Sequence, residues 1–103
     1  MSERLTALQS MLEQKPGDSF LRYGLAMEHA RLGQLEEAVT EYRGLLQANA
    51  DYPAAYFHGG QALEKLGHLD EARAMYEQGI AVTTRMGDAH TRSELQAALD
   101  LLG

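Results

Sequence analysis

The stretch ARLGQLEEAVTEY, residues 30–42, returns 34 residues later as EKLGHLDEARAMY, residues 64–76, with Leu, Gly, Leu, Glu, Ala and Tyr in register. The same interval of 34 separates Gly33 from Gly67, Leu35 from Leu69, Ala38 from Ala72, Tyr42 from Tyr76 and Leu46 from Ile80. It reaches backward as well, since Leu8 precedes Tyr42 and Leu12 precedes Leu46 by the same 34 residues. A unit that recurs at such a period cannot bury its apolar flank alone, so each copy must be covered by a neighbour. This confines the chain to a stack of like pieces.

Within the unit the period is helical. Leu5, Leu8 and Leu12 open the chain at helical spacing behind Ser2, a suitable N-cap. The spacing predicts further helices from about Asp18 or Ser19 to Leu32, Leu35 to Ala48, Pro53 to Leu66, Leu69 to Thr84 or Arg85, and Asp88 to Leu102. The last carries Leu95, Ala98, Leu99 and Leu102 at i, i+3, i+4 and i+7, and Thr91 and Glu94 have capping-box spacing. The breaks are KPGD (15–18), Gly33, NADYP (49–53), Gly67 and RMGD (85–88). Good helix formers dominate, only Pro16 and Pro53 are prolines, and no run alternates with period two for a strand's length. Connections this short force consecutive helices to lie antiparallel.

A 34-residue helix–turn–helix period resembles the tetratricopeptide repeat. Its Ala-x3-aromatic element occurs as Ala38…Tyr42 and Ala72…Tyr76. YFHGGQALEKLGHLDEARAMYEQGI (56–80) is the nearest match, with Tyr56 at the large aromatic position and Gly60 at the small one. The preceding copy departs from the pattern: Arg22 stands where a Trp-like residue is usual and His29 where Tyr is common, although Ala26 keeps the small position. Neither copy ends in proline.

The resemblance implies an all-α fold of about six helices, antiparallel hairpins stacked as a short right-handed superhelix. The chain, 1–103, then reads as a single domain: a lone helix (2–14), repeats at 19–52 and 53–86 that cover 68 of the 103 residues, and a capping helix (88–102). The cap should turn Leu95, Leu99 and Leu102 inward and Arg92, Glu94, Gln96 and Asp100 to water. Small residues at Ala26, Gly60, Ala38 and Ala72 allow close helix approach, and Tyr42 and Tyr76 are expected to fill the space between hairpins.

Charge and composition narrow the function. A net charge of −6 opposes general nucleic-acid binding and anionic membranes. There is no cysteine for a disulfide or a thiolate metal site. The N-terminus lacks the apolar run of a secretory leader, and no stretch approaches the ~20 apolar residues of a membrane span. A cytoplasmic protein is expected. No catalytic or cofactor-binding residues emerge: G-x-S-x-G and phosphate-cradling loops are absent, and HGG (58–60) falls inside a predicted helix. His29, His58, His68 and His90 show no metal-ligand spacing. His29 reads as packed, His68 as capping the next helix, and His58 and His90 as exposed. LEE (35–37) and LDE (69–71) put acids in first helical turns, where the macrodipole favours them.

In proteins with these repeats the first helix of each hairpin lines a concave groove. Carried over residue by residue, this implies Phe20, Tyr23, Met27, Ala30 and Arg31 from one repeat and Ala54, Phe57, Gln61, Glu64 and Lys65 from the next. The expected partner-binding set is Phe20, Tyr23, Met27, Arg31, Phe57, Gln61, Glu64 and Lys65. Phe20, Tyr23, Met27 and Phe57 form its apolar cluster, and Arg31 and Lys65 could hold a carboxylate at one end. The chaperone-clamping subtype uses Lys and Asn where this chain has Tyr23, Met27 and His58, so that clamp is not expected. The function implied is a non-catalytic adaptor that binds a peptide or protein segment, as a monomer or weak homodimer. Two alternatives stand beside it: self-association through the same stripe, which sedimentation across a concentration series would reveal, and an enzyme or metal-dependent accessory, supported only by the four histidines.

Overall fold

Three helices begin at a side chain that accepts a hydrogen bond from the backbone three residues on. In the computed structural model, which describes residues 2–103, Ser2 accepts from Leu5 N–H at 3.0 Å, Asp18 from Leu21 N–H at 3.0 Å and Asp88 from Thr91 N–H at 3.1 Å. They open α1 (Glu3–Gln14), α2 (Ser19–Arg31) and α6 (Ala89–Leu102). α4 (Pro53–Lys65) starts on Pro53, where the missing N–H costs nothing. α3 (Leu35–Ala48) and α5 (Leu69–Met86) have no side-chain cap, but each carries two acids in its first turn. His68, expected to cap α5, instead places Nδ1 3.3 Å from the Glu71 carboxylate. No strand occurs among the described residues.

The two hairpin corners share one mechanism. Gly33 and Gly67 sit at φ +79° and +80°, left-handed values that cost a side-chain-bearing residue and cost glycine nothing. After each glycine the chain folds back on the helix it leaves: Gln34 N–H donates to His29 C=O at 2.8 Å, and His68 N–H to Leu63 C=O at 2.9 Å. Gly33 and Gly67 themselves donate to Ala30 and Glu64 carbonyls at 3.0 and 2.9 Å. This pair of bonds satisfies carbonyls that a helix end leaves open.

Each helix packs on the next along the chain, giving two layers, α1–α3–α5 and α2–α4–α6. The layers are unequal. α4 lies backbone-close to both α2 and α6, whereas α3 comes backbone-close to neither α1 nor α5 among the described residues and reaches α5 through side chains, Arg43 donating to Glu71 at 2.9 Å. Closer spacing on one side curves the stack toward α2, α4 and α6, so these three line the concave face.

The interior comprises two clusters. One gathers Ala26, Ala38, Tyr42, Leu45 and Ala55; the other gathers Val39, Tyr56, Ala62, Leu63, Ala72, Met75, Tyr76 and Leu95. The two repeat tyrosines play different parts. Tyr42 packs its Cβ near Gly59 of the next hairpin, whereas Tyr76 lays its ring on Gly60 of its own hairpin and donates to Glu64. Arg22, at the position equivalent to Tyr56, lies over Gly44 with Nε 3.6 Å from Glu41. That Nε is buried without a hydrogen-bond partner among the described residues.

The period does not continue into α6. α5 has 18 residues against 14 in α3, about one further turn. Arg85 on that turn pairs with Asp51 ahead of α4, and Thr83, fully buried, donates to Gly79 C=O at 2.8 Å. α6 buries Leu95 completely and packs Ala98, Leu99 and Leu102 against the second cluster, while Arg92, Glu94, Gln96 and Asp100 are exposed.

Candidate partner-binding cleft

On the concave face α2 and α4 part to leave a cleft of about 220 Å³. Met27 and Arg31 line it from α2, Gln61 and Lys65 from α4, with Tyr42 and Leu35 of α3 beneath. The intervals that set α2 and α4 in parallel register also bring Arg31 and Lys65 to one end. Tyr42 donates its hydroxyl to Met27 Sδ at 3.0 Å, which ties the floor to one wall. Burial raises the Tyr42 hydroxyl above its ordinary value, so the floor is a neutral phenol at physiological pH.

Beside the cleft an aromatic run crosses from α2 to α4. Tyr23 lies with ring centroids 5.3 Å from Tyr52, 5.9 Å from His58 and 6.3 Å from Tyr42, and His58 stands edge-on to Phe57 at 5.2 Å. These are favourable aromatic separations. The expected cluster thus takes a different membership. Tyr23 and Phe57 are linked through His58, which is half-buried rather than exposed. Phe20 stands apart, 72% exposed at the start of α2. Glu64 turns to Tyr76 and does not line the cleft. Burial pushes the His58 imidazole below its ordinary value; Lys65 acts the same way and Glu94 opposes it. His58 therefore enters the run as a neutral ring.

Glu28 escaped the reading of spacing. Its side chain is 2% exposed and sits behind Arg31. Arg31 donates Nε and Nη2 to its two oxygens at 2.9 and 2.5 Å, Ser2 donates Oγ at 2.6 Å, and Arg4 lies 3.8 Å away. The Ser2 that caps α1 therefore also fastens α1 to α2. These bonds, from Arg31 first and then Ser2, hold the carboxyl at about 2 against the opposing effect of burial.

A folded-state value below the ordinary ~4.3 means stability that is fully present above that value. It is lost as pH falls toward 2. Melting temperatures of wild type and Glu28→Gln are expected to differ by a constant amount above about pH 5 and to converge by about pH 2. A gap that did not narrow on acidification would contradict the ionised network.

Comparison with known proteins agrees with this architecture. A TPR-repeat family model matches residues 28–67 and a second, tetratricopeptide-repeat model matches 53–83. The chain is 27% identical to the TPR repeat-containing protein PA0015 of Pseudomonas aeruginosa, over 92% of this chain and 90% of that protein. It is 35% identical to a tetratricopeptide repeat domain protein of Salinibacter ruber of known crystal structure, with a TM-score of 0.78 and coverage of 82% and 94% of the two chains. It also shares its fold with PcrH, crystallised in complex with the chaperone binding region of PopD. The TM-score is 0.89 at 20% identity, covering 95% of this chain and 74% of that one.

Proposed function

This chain belongs to the tetratricopeptide-repeat family, and from that premise we propose that it is a non-catalytic adaptor whose concave face binds a peptide or protein segment of a partner. The observation that carries this reading is the aromatic run beside an open cleft, Tyr52–Tyr23–His58–Phe57, on the face toward which the helices curve. Partly exposed aromatic rings on a rigid helical surface offer apolar area at small entropic cost, which is what a docked segment requires. PcrH, of the same fold, is seen with a binding region of another protein, which supports the same class of function here.

Phe20, Tyr23, Met27, Arg31, Phe57, Gln61, Glu64 and Lys65 remain the proposed contact set, with two distinctions. Phe20 would act as an outlying contact, and Glu64 would meet the partner beside the cleft while its carboxylate accepts from Tyr76. The reading also treats 19–52 and 53–86 as the full repeats, 2–14 as a lone leading helix and 88–102 as the cap. The polar outer face of α6 over a fully buried Leu95 supports that last assignment.

The experiment is affinity capture from native lysate with wild type and the Tyr23→Ala/Phe57→Ala double variant. A partner held by wild type should bind the variant at least tenfold more weakly, since buried aromatic anchors carry about 2 kcal/mol or more each. Helicity and melting must show the variant folded. Equal binding by a folded variant would remove the groove assignment.

A further inference from the structure

One of the four rings on the concave face can take up a proton in mild acid. His58 stands edge-on to Tyr23 of α2 at 5.9 Å and to Phe57 at 5.2 Å. Of the rings in the run Tyr52–Tyr23–His58–Phe57, only His58 also lines the cleft. The two parts of the concave face therefore meet at an imidazole. That imidazole is half-buried, and no hydrogen bond among the described residues supports its charged form. Water is what remains to solvate the proton.

The groups that face His58 do little to hold a proton there. α2 brings Tyr23, with Tyr52 behind it, and burial keeps both phenols neutral at physiological pH. Tyr42 of α3 is neutral for the same reason. α4 brings Phe57 and Lys65, and the lysine opposes a second positive charge. α6 brings Glu94, which favours the proton, but His90 Nε2 lies 3.8 Å from that same carboxylate and competes for it. Arg31, across the cleft, is balanced by Glu28. An imidazolium gains some attraction to the Tyr23 and Phe57 rings, less than it costs to seal an unpaired cation from water.

We propose that His58 makes the concave face hold an uncharged, apolar segment at neutral pH and hold it less tightly in mild acid. This rests on the concave-face reading above. An apolar side chain laid over Tyr23, His58 and Phe57 displaces the water left on the imidazole. The neutral ring tolerates that loss and the imidazolium does not. Linkage fixes the sign. A segment that dries His58 makes it harder to protonate, so protonation must weaken the segment's binding by the same factor. Affinity then falls as pH drops through the free-state value of His58. A carboxylate carried onto the ring would reverse the sign, and the net charge of −6 disfavours a segment of that kind.

The test uses an array of acetylated, amidated dodecapeptides built from Ala, Leu, Met, Phe and Ser, which carry no titratable group. The best members are then measured by fluorescence anisotropy at pH 7.5 and pH 5.0 and constant ionic strength, with circular dichroism to show the protein folded at both. Binding is expected to be about 3- to 30-fold weaker at pH 5.0, the upper figure being what one group at the ordinary ~6.5 can produce. His58→Phe keeps a ring and should bind equally at the two pH values. His58→Gln should also be pH-independent, even if weaker throughout, and His90→Gln should behave as wild type. In the NMR spectrum the His58 Cε1–H signal should titrate lower with peptide bound than free. Equal wild-type binding at the two pH values would overturn the proposal, as would tighter binding in acid, an unmoved His58 titration, or a loss that persists in both His58 variants. Each leaves the groove reading standing if Tyr23→Ala/Phe57→Ala abolishes binding at pH 7.5. Peptides indifferent to that double variant, or failure of every member to bind, would overturn both readings.

Discussion

Leu95→Ala is expected to lower stability by about 2–5 kcal/mol, the range for emptying a fully buried leucine site. Leu95 is the one completely buried side chain of α6, and it reaches Gly79 on α5. Total stability for a domain of this kind is about 5–15 kcal/mol, so the loss is a large share of it. In thermal unfolding each kcal/mol moves the midpoint by roughly 4–8 °C at this size. Leu101, 88% exposed on the same helix, provides the control: Leu101→Ala should stay within about 0.5 kcal/mol. If α6 is a cap held mainly through Leu95, a chain ending at Gly87 should melt with Leu95→Ala rather than with wild type. An unchanged midpoint in either variant would remove the cap assignment.

Gly60→Ala is expected to destabilise although alanine is the better helix former. A Cβ at Gly60 would lie 2.6 Å from Tyr76 Cδ1 and 2.7 Å from its Cζ, and Tyr76 is fully buried. Overpacking of this sort costs about 1–3 kcal/mol, more than the roughly 0.5–1 kcal/mol that removing a mid-helix glycine returns. Gly24→Ala is the matched contrast. There the added Cβ meets only the Leu8 side chain, Cδ2 at 3.4 Å and Cδ1 at 3.9 Å, so the propensity gain should survive and the variant should melt higher. Chemical denaturation of both variants checks the sign. A Gly60→Ala protein as stable as wild type would mean that the α4–α5 contact is looser than the structure shows.

Much of this architecture was legible before any coordinates. Leu35 to Ala48 was delimited to the residue, because a glycine corner and a polar break bracket an unbroken helical period. α2 and α4 end at Arg31 and Lys65, one residue before the expected Leu32 and Leu66, since the last residue before each corner belongs to the turn. Gly33 and Gly67 were readable as corners because a left-handed residue is a local requirement. Of the cleft, Met27, Arg31, Gln61 and Lys65 followed from repeat register, and the structure brings all four together.

Other features had no local sign. Glu28 looks like any helix acid, yet it is buried because Ser2, 26 residues earlier, and Arg31 close over it. His58 joins Tyr23 to Phe57 only once α2 and α4 lie side by side. Phe20 shares a face with Tyr23 in the repeat pattern but stays exposed at the start of α2. By itself, then, the sequence determined the helices, their corners and the repeating register, since these depend on backbone preferences and spacings within a turn or two. The tertiary structure alone decided which charges are buried, which rings meet and which way the layers curve, since each depends on contacts between residues far apart in the chain.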